Sequence, residues 1–200
     1  MPRSNRRRFL QSTSLVAGGY FVAGTRPAWS QSANEQLTVA SIGVGGKGGS
    51  DSDNASLFGR VVAICDVDRN TLEKKGGSDR FKEAEQFTDY RELLAKHGKK
   101  IDICTVSTPD HMHAPATLDC MRLGISCYTQ KPLTRTIYEA RLLAKVAAEM
   151  AGKGVCTQMG NQGTALDSSR EAIAQIKSGV LGTLKEVYAW SNRPVWAQGP

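Results

Sequence analysis

The sequence predicts an α/β fold built on a doubly wound parallel sheet, because apolar runs alternate with capped helical stretches and a glycine-rich turn follows the first run. The runs are Leu37 to Gly43, Val61 to Asp66, Ile101 to Ser107, Ile125 to Thr129 and Val155 to Met159. Several are nearly continuous rather than alternating, the pattern of strands buried on both faces. Strand followed by helix, repeated, gives a parallel sheet with right-handed crossovers.

The helical stretches carry start signals. Asp89 with Glu92, Thr136 with Glu139 and Ser168 with Glu171 each fit a capping box, and Pro115 suits a first helical turn. From Thr136, Ala140, Leu143, Ala147 and Met150 share one face up to Gly152, so this helix is expected to pack on the sheet. A further helix, Ser168 to Ser178, stops at Gly179. Leu184 to Ser191 then reads as a strand, with Tyr188 and Trp190 on one face and Val187 and Ala189 on the other. Nine residues after it cannot supply the partners that a strand needs. The expected organisation is therefore residues 1–30 as a leader, 31–36 as a linker, 37–160 as a first domain, and 161–200 as the beginning of an incomplete second one.

Charge separates the leader from the rest. The formal charge of +7 owes much to Arg3, Arg6, Arg7, Arg8 and Arg26, which lie in thirty residues that hold no Asp or Glu. Without them 21 basic residues face 19 acidic ones, and no basic run with interleaved aromatics remains, which argues against a nucleic-acid partner. The leader has a charged head, Asn5-Arg6-Arg7-Arg8-Phe9-Leu10, an apolar run from Ser14 to Gly24, and small residues at Ala28 and Ser30. This is the pattern of a twin-arginine signal peptide cleaved before Gln31, and it predicts recognition by the twin-arginine translocation machinery and a periplasmic or otherwise exported protein. The apolar run falls short of the roughly 20 residues of a stable membrane span.

Five cysteines, an odd number without any C-x-x-C, do not read as a disulfide framework or a metal site. Cys65, Cys104, Cys127 and Cys156 fall in strand runs and Cys120 on a helix, so all five are read as small buried hydrophobes.

Three segments carry chemistry. Gly43-Val44-Gly45-Gly46-Lys47-Gly48 matches G-x-G-x-x-G, follows a strand and precedes a helix, and Asp66 closes the next strand eighteen residues after Gly48. That is the Rossmann dinucleotide fingerprint: glycines for the tight turn, the approach of backbone to pyrophosphate and close helix packing, with the carboxylate for the adenosine ribose. Asp66 repels a 2′-phosphate and favours NAD, while Arg69 softens that preference toward NADP. A Walker loop is excluded, since Gly follows Lys47 where Ser or Thr is required.

The second segment, Ser107-Thr108-Pro109-Asp110-His111-Met112-His113, lies at the carboxyl end of a strand, where ligands of open parallel sheets gather. Ser107, Thr108, Pro109 and His113 are candidate cofactor contacts. A metal reading of Asp110, His111 and His113 fares poorly, because residues two apart on a helix project to different sides and no fourth ligand is evident. The third segment is Tyr128-Thr129-Gln130-Lys131-Pro132-Leu133. Lys131 points to where a nicotinamide would lie, and its ammonium suits a substrate hydroxyl or the developing alkoxide, with Gln130 beside the cofactor.

Taken together, the glycine loop, Ile64-Cys65-Asp66-Val67-Asp68, Thr108-Pro109 to His113, and Lys131-Pro132 resemble the Gfo/Idh/MocA oxidoreductases from about Leu37 onward. Met159-Gly160-Asn161-Gln162-Gly163, with the leader, resembles an exported branch of that family. The resemblance implies a Rossmann domain followed by an α+β domain on an open, mainly antiparallel sheet. It implies NAD(P)-dependent hydride transfer at a secondary hydroxyl of a sugar or cyclitol-like polyol, and a homo-oligomer when full length. The family's Glu-Lys-Pro lysine contacts substrate, and an Asp and a His general base come from the second domain, beyond residue 200 here. Gln130 departs from that motif by replacing the glutamate, which leaves open what acid supports Lys131. Two alternatives stand beside the dehydrogenase: a glycosidase acting by transient oxidation and elimination, whose members usually differ at Gln130-Lys131-Pro132, and a non-catalytic dinucleotide or sugar sensor.

Overall fold

The computed structural model describes residues 36–190; the leader, its cleavage site and the end of the Leu184–Ser191 run lie outside the described residues. Six parallel strands form one sheet: β1 (Thr38–Ile42), β2 (Arg60–Cys65), β3 (Glu85–Phe87), β4 (Ile103–Val106), β5 (Ser126–Gln130) and β6 (Thr157–Gly160). Their spatial order is β3-β2-β1-β4-β5-β6, the doubly wound order that reverses between β1 and β4. Crossovers are made by α1 (Gly46–Ala55), α2 (Arg69–Gly76), α3 (Tyr90–His97), α4 (Asp110–Arg122) and α5 (Ile137–Ala151), and α6 (Asp167–Lys177) follows β6. Among the described residues no helix is long and apolar enough to cross a membrane.

Burial follows from the continuous apolar runs. Ala40, Ile42, Ala63, Cys104 and Val106 pack in one cluster with Leu143, Val146 and Met150 of α5, while Val39, Val61 and Ile64 meet Leu72 and Phe81 in another. Leu143 and Met150 are the face of α5 expected to be buried. Its start is the complete capping box: Thr136 accepts from the Glu139 amide, and Glu139 accepts from the Thr136 amide at 2.9 Å.

Elsewhere local signals yield to context. Asp89 caps α3 by accepting from the Arg91 amide, without a reciprocal bond from Glu92. Ser168 is no cap: α6 begins one residue earlier, entered through extended Leu166 from a 3-10 turn over Gln162–Ala165. Pro115 sits inside α4 rather than in its first turn, since Pro109 fixes the helix entry five residues before the expected start. The short strand β3 went unpredicted because three residues carry no readable period.

Two expectations are overturned. Residues 184–190 are not a strand; Val187, Tyr188 and Trp190 are exposed, because among the described residues nothing pairs with their backbone. Cys156 is exposed, just ahead of the edge strand β6, whose outer side has no neighbouring strand among the described residues. The other four cysteines are buried.

Candidate functional site

The site starts from the way β1 stops. Gly43 adopts φ +82°, a region that L side chains avoid, and its amide donates to the Cys65 carbonyl at 2.8 Å. Helix α1 then begins at Gly46, with Gly45 at its N-cap and no side chain capping it. Gly48 allows α1 to cross the strand closely, since a β-carbon there would lie 2.2 Å from the Gly43 carbonyl oxygen. The result is a helix N-terminus facing the carboxyl edge of the sheet at the switch point, an arrangement suited to an anion.

Asp66, the residue after β2, fixes the loop from the other side. Its Oδ2 accepts from the Val44 and Gly45 amides at 2.9 and 3.2 Å, and its Oδ1 accepts from the Asp68 amide at 3.0 Å. Burial, and then the Asp66 charge, push the Cys65 thiol up to about 12, so this cysteine is no nucleophile.

A cleft of about 810 Å³ opens over this edge, within the size range of cofactor sites. Gly43, Gly45 and Asp66 form one side and Ser107, Thr108 and Pro109 another. A β-carbon at Gly45 would lie 3.1 Å from the Thr71 methyl and 3.7 Å from Asp66, so glycine keeps the floor open. Thr108 presents a buried hydroxyl without a partner among the described residues, a polar atom waiting for a ligand group. These features fit a dinucleotide.

One wall of the cleft carries no signal in the sequence. Asp89, Tyr90 and Arg91 line the cleft because β3, itself unpredicted, delivers the start of α3 there. Arg91 grips Asp89 through its Nε at 2.9 Å and a terminal nitrogen at 2.6 Å, and this pairing holds the Asp89 carboxyl below its usual value. A hydrogen-bond partner and the charge of Asp119 contribute to Tyr90, but burial is the main cause of its rise to about 12.

Not every expected residue reaches the cleft. Val44 is buried and offers only its amide, to Asp66. Gly46 is exposed at the first turn of α1, with φ +49°. Lys47 turns away: its ammonium pairs with Asp51 at 2.8 Å and borders a separate pocket beneath α1. The i, i+4 spacing on one helix face is the cause. His113 is buried with both ring nitrogens against backbone carbonyls, those of Pro132 and Thr108, so it supports the cleft wall rather than lining it; His111 takes that place. A nitrogen pair so occupied is unavailable to a metal. Gln130 is buried under the sheet edge, bonded to Asp51. Lys131 is exposed at the end of β5, ahead of a cis bond to Pro132, and its ammonium has no partner among the described residues.

A family model described as "Oxidoreductase family, NAD-binding Rossmann fold" (GFO_IDH_MocA) matches residues 26–159. The chain belongs to the Gfo/Idh/MocA family. It is 28% identical over 123 residues to an inositol 2-dehydrogenase of Rubrobacter xylanophilus, covering 60% of this chain and 34% of that protein. It is 32% identical over 162 residues to a glycosyl hydrolase family 109 protein of Shewanella sp. (strain MR-4), covering 75% of this chain and 34% of that protein. Among solved structures it is similar to myo-inositol 2-dehydrogenase from Lactobacillus plantarum, with a TM-score of 0.66 and 25% identity over 74% of this chain and 42% of that one. The fold also matches scyllo-inositol dehydrogenase from Lactobacillus casei with bound NAD(H) and scyllo-inositol, at TM-score 0.65, 20% identity, 74% of this chain and 42% of that one. The chain thus spans about a third to two fifths of the length of these Gfo/Idh/MocA relatives.

Proposed function

We propose that this Gfo/Idh/MocA chain forms the NAD-binding half of an exported oxidoreductase that moves hydride between nicotinamide and a secondary hydroxyl of a sugar or cyclitol-like polyol. The observation that carries the reading is the meeting of the glycine loop, Asp66 and Thr108 around one cleft at the switch point, with exposed Lys131 two strands away on the same sheet edge. The inositol dehydrogenase relatives support the polyol class.

When bound, the nicotinamide supplies the hydride chemistry. Around it the chain has three tasks. Amides at the start of α1 would hold the pyrophosphate, and Asp66 would offer a carboxylate to the adenosine ribose and disfavour a 2′-phosphate, which makes NAD the expected cofactor and NADP the alternative. Lys131 holds the substrate oxygen and stabilises the negative charge that develops on it as its proton is removed, before hydride leaves the carbon. The resemblance assigns the general base to the family's second domain. The twin-arginine leader supports loading of the cofactor before export, because that route carries folded proteins.

The test is turnover by the full-length protein on a panel of inositols and pyranoses, followed as NADH absorbance. Lys131→Ala should abolish turnover and leave NAD binding intact; unchanged turnover removes Lys131 from the mechanism. The family 109 relatives favour one second reading, a glycosidase that oxidises a sugar hydroxyl to a ketone, eliminates the aglycone, adds water to the resulting double bond and reduces the ketone again. Phenol release from aryl glycosides without net NADH selects that reading over the simple dehydrogenase.

A further inference from the structure

One buried carboxylate takes no part in the roles assigned so far. Asp51 lies in the second turn of α1, and its side chain is 3% exposed. Its Oδ1 faces the Lys47 ammonium at 2.8 Å, and its Oδ2 accepts from the Ser107 hydroxyl at 2.7 Å and from the Gln130 amide nitrogen at 2.9 Å. A carboxylate removed from water is costly unless it is paired and hydrogen-bonded, and here the donors come from three separate elements. Lys47 belongs to the glycine loop, Ser107 lines the dinucleotide cleft, and Gln130 immediately precedes Lys131.

Asp51 also decides which way the Gln130 amide points. With the nitrogen drawn to Asp51, the amide oxygen faces back and accepts from the Lys131 backbone N–H at 3.3 Å. In the orientation that satisfies its own oxygen and nitrogen, Gln162 takes the second Gln130 N–H at 2.9 Å and a bond from Lys47 at 2.9 Å. Both donors of Gln130 are then spent. Space for its side chain depends on Gly160, where a β-carbon would fall 2.7 Å from the amide nitrogen.

The family motif has glutamate at the position of Gln130. A carboxylate there could still accept from Lys131, but it lacks the amide N–H that Gln130 donates to Asp51. In this chain the acid lies on α1 and the amide on β5.

We propose that Asp51 is a positioning residue of this site: it orients Gln130, and through it ties the Lys131 backbone to the glycine-loop helix. The proposal rests on the reading of Lys131 given above.

The test compares the full-length protein with Gln130→Glu, Asp51→Asn, and the double variant that carries both, in which acid and amide are exchanged without change in side-chain length. Three quantities are measured: the thermal midpoint without ligand, NAD affinity by protein fluorescence, and kcat with KM on the best polyol found. Each single change should lower the midpoint by about 5 °C, as expected for losing a charge-assisted buried bond in a domain of this size. Each should also cut kcat about tenfold, on the order of one lost hydrogen bond that positions the lysine backbone. The double variant should recover most of both losses. A Gln130→Glu protein that melts with the parent overturns the proposal, as does a double variant no better than the worse single one. Should no polyol be turned over at all, the oxidoreductase reading fails, while midpoint and NAD affinity still decide whether acid and amide are exchangeable.

Discussion

His113 of α4 joins two loops that sequence alone leaves apart, with its Nδ1 2.6 Å from the Pro132 carbonyl and its Nε2 2.7 Å from the Thr108 carbonyl. Pro132 follows the candidate catalytic lysine, and Thr108 lines the dinucleotide cleft. One buried ring therefore holds the two sides of the site in register. His113→Ala should leave both carbonyls without that partner and cost about 3 kcal/mol, measured by urea unfolding. A loss within experimental error of zero would show that the loops hold each other without the ring.

The two glycines at the start of α1 should respond differently to alanine. Gly48→Ala sets a β-carbon 2.2 Å from the Gly43 carbonyl, so backbone must move, at a cost of about 3 kcal/mol and with loss of NAD binding. Gly46→Ala meets nothing within 4 Å and pays only for its positive φ, about 1 kcal/mol. Equal midpoints for the two variants in thermal melts would contradict the close crossing.

Asp66 is expected to matter for both loop and cofactor. Asp66→Ala removes the acceptor shared by the Val44 and Gly45 amides and should weaken NAD binding at least about tenfold, or about 1.4 kcal/mol. Asp66→Asn keeps the shape but drops the charge, and should narrow the preference for NAD over NADP. Fluorescence titration with both cofactors reads each effect, and an unaltered NAD affinity in the alanine variant would remove Asp66 from the site.

Acid should destabilise the domain. Asp68 is held below its ordinary value by the Thr71 hydroxyl and then the Asn70 amide, Glu85 by Lys96 and then His97, Asp89 by Arg91, and Glu139 by the Thr136 amide. A carboxyl whose folded value lies below its unfolded one adds stability that is fully present above the unfolded value and is lost as pH falls through the folded value. All four are surface groups, so each adds little. The thermal midpoint should stay level from about pH 7 to pH 5 and drop below about pH 4. A midpoint that rises on acidification would contradict these shifts.

The capping box offers a local measurement. Thr136→Ala leaves the Glu139 amide without its hydroxyl acceptor and should cost about 1 kcal/mol by denaturant unfolding. Glu139→Gln, which can still accept from the Thr136 amide, should cost less.

Features set by local chemistry could be read from the chain alone. Buried strands must be apolar on both faces, so the runs Leu37 to Gly43, Val61 to Asp66, Ile101 to Ser107 and Ile125 to Thr129 were legible, each ending within one residue of the observed strand. A turn that needs φ above zero, and a helix that crosses closely, must be glycine, so Gly43 and Gly48 were legible too. The Thr136–Glu139 box could be read because both partners lie within one turn of chain. Tertiary structure decided whatever depends on residues far apart in sequence. Asp51 meets Gln130 across seventy-nine positions, His113 reaches Pro132 over another loop, and Arg91 enters the cleft only because β3 pairs with β2. Lys47, read as a cofactor contact from its place in the glycine motif, is claimed instead by Asp51 one helical turn on. A motif specifies which backbone can form. Which side chains then face the ligand is settled by the buried charges and carbonyls that need partners, and those partners are chosen by packing.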